Sequence, residues 1–182
     1  MEQISNLVQP TTILAVFDMI DYTFADCLSD KGPILLLDGI QDPGNCGTII
    51  RTADWFGLKS IIRTPQTADF YHPKVVQATM GSLNNIKFST MVDLDQLTKS
   101  RKTIVGMDMN GQNLKELHLS EDMVFVMGSE GQGISKEINN LVNHKVRIPG
   151  TNSKLAESLN VGVAASILMY ELSSNKNQGI RI

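Results

Sequence analysis

Short apolar runs alternate with longer mixed stretches over most of the chain. The runs at 33–37, 60–63, 103–107, 123–127 and 145–148 have strand length, and nearly unbroken apolar character in a strand marks burial on both faces. Between them, 47–56, 73–79, 94–102, 134–142 and 161–173 read as helices. The last is the most regular: Val161, Ala164, Ala165, Leu168 and Leu172 fall at i, i+3, i+4, i+7 and i+11, one stripe of a helix surface. Strands that alternate with helices predict an α/β fold, a parallel sheet with helices on both faces. Near the N-terminal end, 13–17 predicts an edge strand and 18–29 a short connection or helix.

Three of the apolar runs lead into polar, glycine-containing segments. The first is Asp42-Pro43-Gly44-Asn45-Cys46-Gly47 with Arg51 following, the second Gly128-Ser129-Glu130-Gly131-Gln132-Gly133, and the third Ile148-Pro149 followed by Glu157-Ser158-Leu159-Asn160-Val161. Ligands of open α/β sheets bind beyond the carboxyl ends of the strands. The strand ends at Leu37, Met127 and Ile148 are therefore expected to line one crevice.

The residue types in these segments narrow the chemistry. Glycines at 128, 131 and 133 let backbone N–H and C=O groups approach a flat ligand, although a tight strand-to-helix loop reads the same way. Their order does not fit the dinucleotide fingerprint, which disfavours an NAD-dependent dehydrogenase. The chain has no Walker lysine, no His-Glu-x-x-His and no spaced Cys/His set, so phosphate-loop and zinc chemistry lose their signatures, and no metal is expected. On a helix, Arg51 points away from the Ile49, Ala53 and Phe56 face and is free either to meet a ligand or to lie solvated on the surface. Glu130 reads equally as a site carboxylate or a helix-entry acid. Ser158 and Asn160 read as site groups or as caps of the last helix, and the two roles are compatible.

With 182 residues and 42% hydrophobic content the chain can bury one core. We divide it into 1–30, an N-terminal extension or the remnant of a linker, and a main domain at 31–182. The formal net charge of -3 means that any nucleic-acid footprint is local or supplied elsewhere. Cys27 and Cys46 form neither a zinc pattern nor a disulfide framework, which places the chain in a reducing, cytoplasmic setting. No apolar run approaches the roughly 18 to 20 residues that span a bilayer, so no membrane role is expected.

The three segments together resemble the motifs of the SpoU-type (TrmH family) RNA 2′-O-ribose methyltransferases, a branch of the SPOUT class. The resemblance runs from about Pro33 to Leu172 and includes Asp69-Phe70-Tyr71-His72-Pro73-Lys74-Val75-Val76 and Met80-Gly81-Ser82. It implies an α/β-knot, a parallel sheet whose C-terminal segment passes through a deep trefoil knot, with S-adenosylmethionine bent between the second and third segments. By motif position, cofactor contacts fall on Gly128, Ile148 and Leu159, with Met127 and Gly133 beside the second segment. The catalytic group implied is Arg51, Asn45, Glu130, Ser158 and Asn160, with the serine acting within one chain or across a homodimer interface for which the last helix is a candidate. The resemblance also implies an RNA substrate, rRNA ahead of tRNA. Relatives commonly carry an RNA-binding domain joined near a segment like 9–17, which makes this chain a fragment or a minimal enzyme. The loop at 150–156 is longer than in many relatives. Beside this reading stand the same fold acting on tRNA and a non-catalytic, RNA-associated protein that keeps the cofactor pocket.

Overall fold

A computed structural model describes residues 15–91, 93–151 and 156–177. Six strands, β1 (Ile34–Asp38), β2 (Ser60–Arg63), β3 (Lys87–Thr90), β4 (Thr103–Asn113), β5 (Met123–Gly128) and β6 (His144–Arg147), form one sheet in the order β3-β2-β1-β5-β4-β6. Every adjacent pair is parallel. The chain leaves β3 at one edge and returns beyond β1 and β5, so the order reverses between these two central strands.

Alternation along the strands divides the core. In β1, Leu35 and Leu37 face one apolar cluster with Phe125 and Met127 of β5, while Ile34 and Leu36 face another with Val124 and Val126. The first cluster is covered by α2 (Pro43–Phe56), α3 (Pro73–Thr79) and α6 (Val161–Asn177), through Ile49, Ile50, Ala53, Val75, Ala165 and Leu168. The second is covered by α1 (Phe24–Ser29), α4 (Leu94–Lys99) and α5 (Lys136–Asn139), through Phe24, Cys27, Leu97 and Ile138. Each fully buried Leu, Ile or Phe contributes about 1.5–3 kcal/mol, so two clusters of this kind account for a sheet closed on both faces.

Local signals set the helix ends. The Asp42 carboxylate accepts from Asn45 N–H at 2.7 Å and Pro43 occupies the first turn of α2, which ends on Gly57 at φ 74°. Thr23 and Asp26 form a reciprocal capping box on α1. Asp30, just beyond α1, accepts from Lys87 Nζ at 2.6 Å and from Ser60 Oγ at 2.5 Å, tying that helix to β2 and β3.

Several elements depart from the sequence expectation. Residues 15–17 form no strand, and Val16 and Phe17 are exposed, while Ile13 and Leu14 lie outside the described residues. The edge strand β3 carries no apolar run, since each of its four residues is only half-buried. The strand at 103–107 continues to Asn113, with a register shift against β6 between Met107 and Gln112. The helix expected at 134–142 is regular only over Lys136–Asn139, although Ile134, Leu141 and Val142 still pack on the sheet.

Candidate functional site

The first two polar segments follow β1 and β5, which lie side by side at the reversal of strand order, the usual ligand position in such sheets. Leu37 pairs directly with Met127, and Asp38 with Gly128. Ile148 lies elsewhere: β6 is separated from β5 by β4, so its end stands about 10 Å away, two strand spacings. The third segment returns to the centre only at the start of α6.

There the three segments meet. Asn45 Nδ2 donates to Glu130 Oε1 at 2.7 Å, and Asn160 Nδ2 donates to Asn45 Oδ1 at 3.1 Å and to Glu130 Oε1 at 3.2 Å. Asn160 also caps α6, its Oδ1 accepting from Gly162 N–H at 2.9 Å and Val163 N–H at 3.2 Å. Its two sequence readings are therefore one arrangement: the acceptor oxygen holds the helix while the amide nitrogen reaches the cluster. Ser158 does neither. It is exposed, with no hydrogen-bond partner among the described residues.

Arg51 lies on the exposed side of α2 while Ile49, Ile50 and Ala53 are buried. Its side chain makes no hydrogen bond or ion pair among the described residues, those of the cluster included. A guanidinium without a partner on a solvated surface is available to a phosphate.

The second segment is a closed loop. Ser129 and Gly133 exchange backbone hydrogen bonds at 3.0 and 2.8 Å, and Gln132 N–H donates to Ser129 Oγ at 3.2 Å. A Cβ at Gly128 would lie 2.2 Å from the carbonyl carbon of Gly133, so the loop doubles back onto a position that only glycine can fill. Cβ atoms at Gly131 and Gly133 would meet nothing within 4 Å. The space beside both glycines is open, so a flat adenosine-bearing group fits against them, while the N–H and C=O of Gly133 themselves stay paired with Ser129.

A cavity of about 580 Å³ opens at the ends of β1, β2, β3 and β5. Its charged lining residues are all acidic: Asp38, Asp42, Asp93, Glu130 and Glu137. This wall repels anions, whereas the solvated face that carries Arg51 attracts them. Gly133 lines the cavity, whereas Gly128, Met127, Ile148 and Leu159 do not. Met127 is buried, Ile148 half-buried and Leu159 exposed, and 152–155, between the last two, lie outside the described residues.

The sequence reading passed over the groups that hold these loops. Thr64 Oγ1 accepts from Gly39 N–H at 3.0 Å, and Thr67 Oγ1 accepts from Ile40 N–H at 3.3 Å while donating to the Leu37 carbonyl at 2.8 Å. Asp38 Oδ2 accepts from Ser135 N–H at 2.6 Å. The signal for Asp38 was present as a carboxylate closing the apolar run of β1. Cys46 is no nucleophile: burial, with the nearby Asp42 charge, pushes its thiol up to about 12. No group of three or more His, Cys, Asp or Glu among the described residues could hold a metal ion, and no described helix is long and apolar enough to cross a membrane.

An all-parallel α/β sheet with three loops converging at its reversal point defines the class of fold. The chain belongs to the SpoU rRNA Methylase family, whose model matches residues 32–170. It is 34% identical over 149 residues to the 23S rRNA (guanosine(2553)-2′-O)-methyltransferase RlmP of Bacillus subtilis, covering 80% of this chain and 59% of that protein. It is 31% identical over 159 residues to the 23S rRNA (guanosine-2′-O-)-methyltransferase RlmB of Bordetella pertussis, covering 85% of this chain and 64% of the relative. Among solved structures, the SpoU methyltransferase AviRb of Streptomyces viridochromogenes in complex with AdoMet superposes with a TM-score of 0.78 at 28% identity, over 86% of this chain and 65% of that one. The chain thus spans about three fifths of the length of the curated relatives it matches.

Proposed function

We propose that this chain is the methyltransferase unit of an enzyme that methylates a ribose 2′-hydroxyl of structured RNA, with rRNA ahead of tRNA as substrate and a guanosine as the target nucleoside. The observation that carries this reading is the Asn45–Glu130–Asn160 cluster, in which one residue from each motif meets at the strand-order reversal, with Arg51, whose side chain has no partner among the described residues, on the same helix as Asn45. The rRNA guanosine assignment follows the activity of the relatives.

S-adenosylmethionine, when bound, supplies a sulfonium-activated methyl group. The residues that would hold it are Gly128, Gly133, Met127, Ile148 and Leu159, of which Gly133 lines the cavity. Arg51, about 9 Å along α2 from Asn45 by helical rise, clamps the phosphate beside the target ribose and favours ionisation of the hydroxyl. Arginine keeps its proton below about pH 12, so the hydroxyl proton goes to another group. Glu130 Oε2, which has no partner among the described residues, is the acceptor, while Oε1 is held by the two asparagine amides. The new O–CH3 bond forms as the S–CH3 bond breaks, an in-line displacement in which positioning supplies most of the rate.

The unit works as a homodimer in the cytoplasm, with the knot closing behind the third segment. Exposed Trp55 on α2 and Val163 and Tyr170 on α6 support such an interface. Light scattering checks the dimer, and Trp55→Ala shifts it to monomer. The catalytic reading is tested by transfer of labelled methyl to rRNA and tRNA from a strain lacking this protein.

A further inference from the structure

We infer that Asp38 is a positioning residue that sets Glu130 in place through the 129–135 loop. This inference rests on the reading of Glu130 as a site residue. Asp38 ends β1 on the face that otherwise carries Ile34 and Leu36, and is 5% exposed. A carboxylate so buried needs a fixed partner, and it has one 97 positions away, the Ser135 N–H at 2.6 Å. Ser135 begins α5 without a capping bond from its own side chain. Asp38 takes the N–H of the N-cap residue itself, the donor that a carboxylate at 138 would take in a capping box and that Ile138 cannot.

The consequence reaches Glu130 because the loop has little freedom left. Its entrance is fixed by the pairing of Gly128 with Asp38 itself, its middle by the Ser129–Gly133 bonds, and its exit by Ser135 on the Asp38 carboxylate. Glu130 stands at the closed end, where it accepts from Asn45 and Asn160. One residue thus holds both ends of the loop, through its backbone at the entrance and its side chain at the exit. Without the carboxylate, the exit is released and Glu130 no longer meets Asn45 at a fixed distance.

The test is a double-mutant cycle on the full chain with Asp38→Ala, Glu130→Ala and the double variant, plus Asp38→Asn. Methyl transfer to total rRNA from a strain lacking this protein is read beside the Ser135 amide and Asn45 side-chain amide resonances. Asp38→Ala is expected to lower kcat by about 10- to 100-fold, yet to stay within about twofold in the Glu130→Ala background. It should also move the Asn45 resonance toward its position in Glu130→Ala. Asp38→Asn, which keeps an acceptor, restores most of the rate. An equally large loss in the Glu130→Ala background would mean a general structural role and overturn the inference, as would an unmoved Asn45 resonance in Asp38→Ala. If Glu130→Ala alone leaves transfer intact, the site reading fails, and the resonances still decide whether Asp38 fixes Glu130.

Discussion

Asn45 and Glu130, 85 positions apart, are joined by a 2.7 Å hydrogen bond from an amide to a carboxylate, and Asn160 closes the group from the C-terminal side. Asn160 is the residue whose two functions can be separated. Asn160→Ser keeps a side-chain oxygen able to cap α6 but removes the amide nitrogen that reaches Asn45 and Glu130. Methyl transfer is expected to fall by about 10- to 100-fold, with thermal stability close to wild type. Asn160→Ala loses the cap as well and costs about 1 kcal/mol. Denaturant unfolding and initial rates on the two variants check this.

Gly47 lies where α3 crosses α2. A Cβ there would sit 2.4 Å from Ala78 Cβ and 2.8 Å from the Val75 carbonyl oxygen. Gly47→Ala is expected to destabilise by about 1–3 kcal/mol through overpacking, despite alanine's better helix propensity. Chemical denaturation measures it, and wild-type stability would show that the two helices separate easily.

Both thiols are shielded. Burial raises Cys27 to about 11 and Cys46 to about 12, and both are fully buried. Reaction with an aromatic disulfide reagent at about pH 8 should be limited by unfolding and become immediate in denaturant. Fast labelling of the native protein would contradict the packing around α1 and α2.

Asp30 should shape the acid limb of stability. Burial pushes its carboxyl up, but hydrogen bonds from Lys87 and Ser60 outweigh that and hold it below the ordinary 3.8. A carboxylate depressed in the folded state adds stability that is present above its unfolded pKa and lost as pH falls through the folded one. The melting-temperature gap between wild type and Asp30→Asn is expected to be constant near neutrality and to shrink below about pH 4. A gap independent of pH down to about 2 would exclude the ion pair as its source.

Much of this arrangement is legible in the sequence because the strands flanking the site are buried on both faces. Pro33–Leu37 and Met123–Met127 read as unbroken apolar runs, and Asn45, Glu130 and Asn160 stand in the polar segments that follow or return to them. The stripe from Val161 to Leu172 likewise forecasts how α6 packs. Less visible are features fixed by lateral order. Lys87–Thr90 has one sheet neighbour and no need of an apolar run, and Ile148 follows a strand like any other until β4 is found between β6 and the centre. Asp38 escaped notice because its partner, Ser135, is set by the β1–β5 register, which no local pattern encodes.

The most direct test of the account is labelled methyl transfer to rRNA by wild type and Arg51→Ala, followed by mapping of ribose methylation. Arg51 is exposed and unpartnered among the described residues, so its removal should change stability by no more than about 0.5 kcal/mol and leave S-adenosylmethionine affinity unchanged. The account predicts label at a single ribose 2′-oxygen with wild type and a loss of about 10²-fold or more with Arg51→Ala. Equal label from both proteins, or methyl groups on a base rather than a ribose, would contradict it.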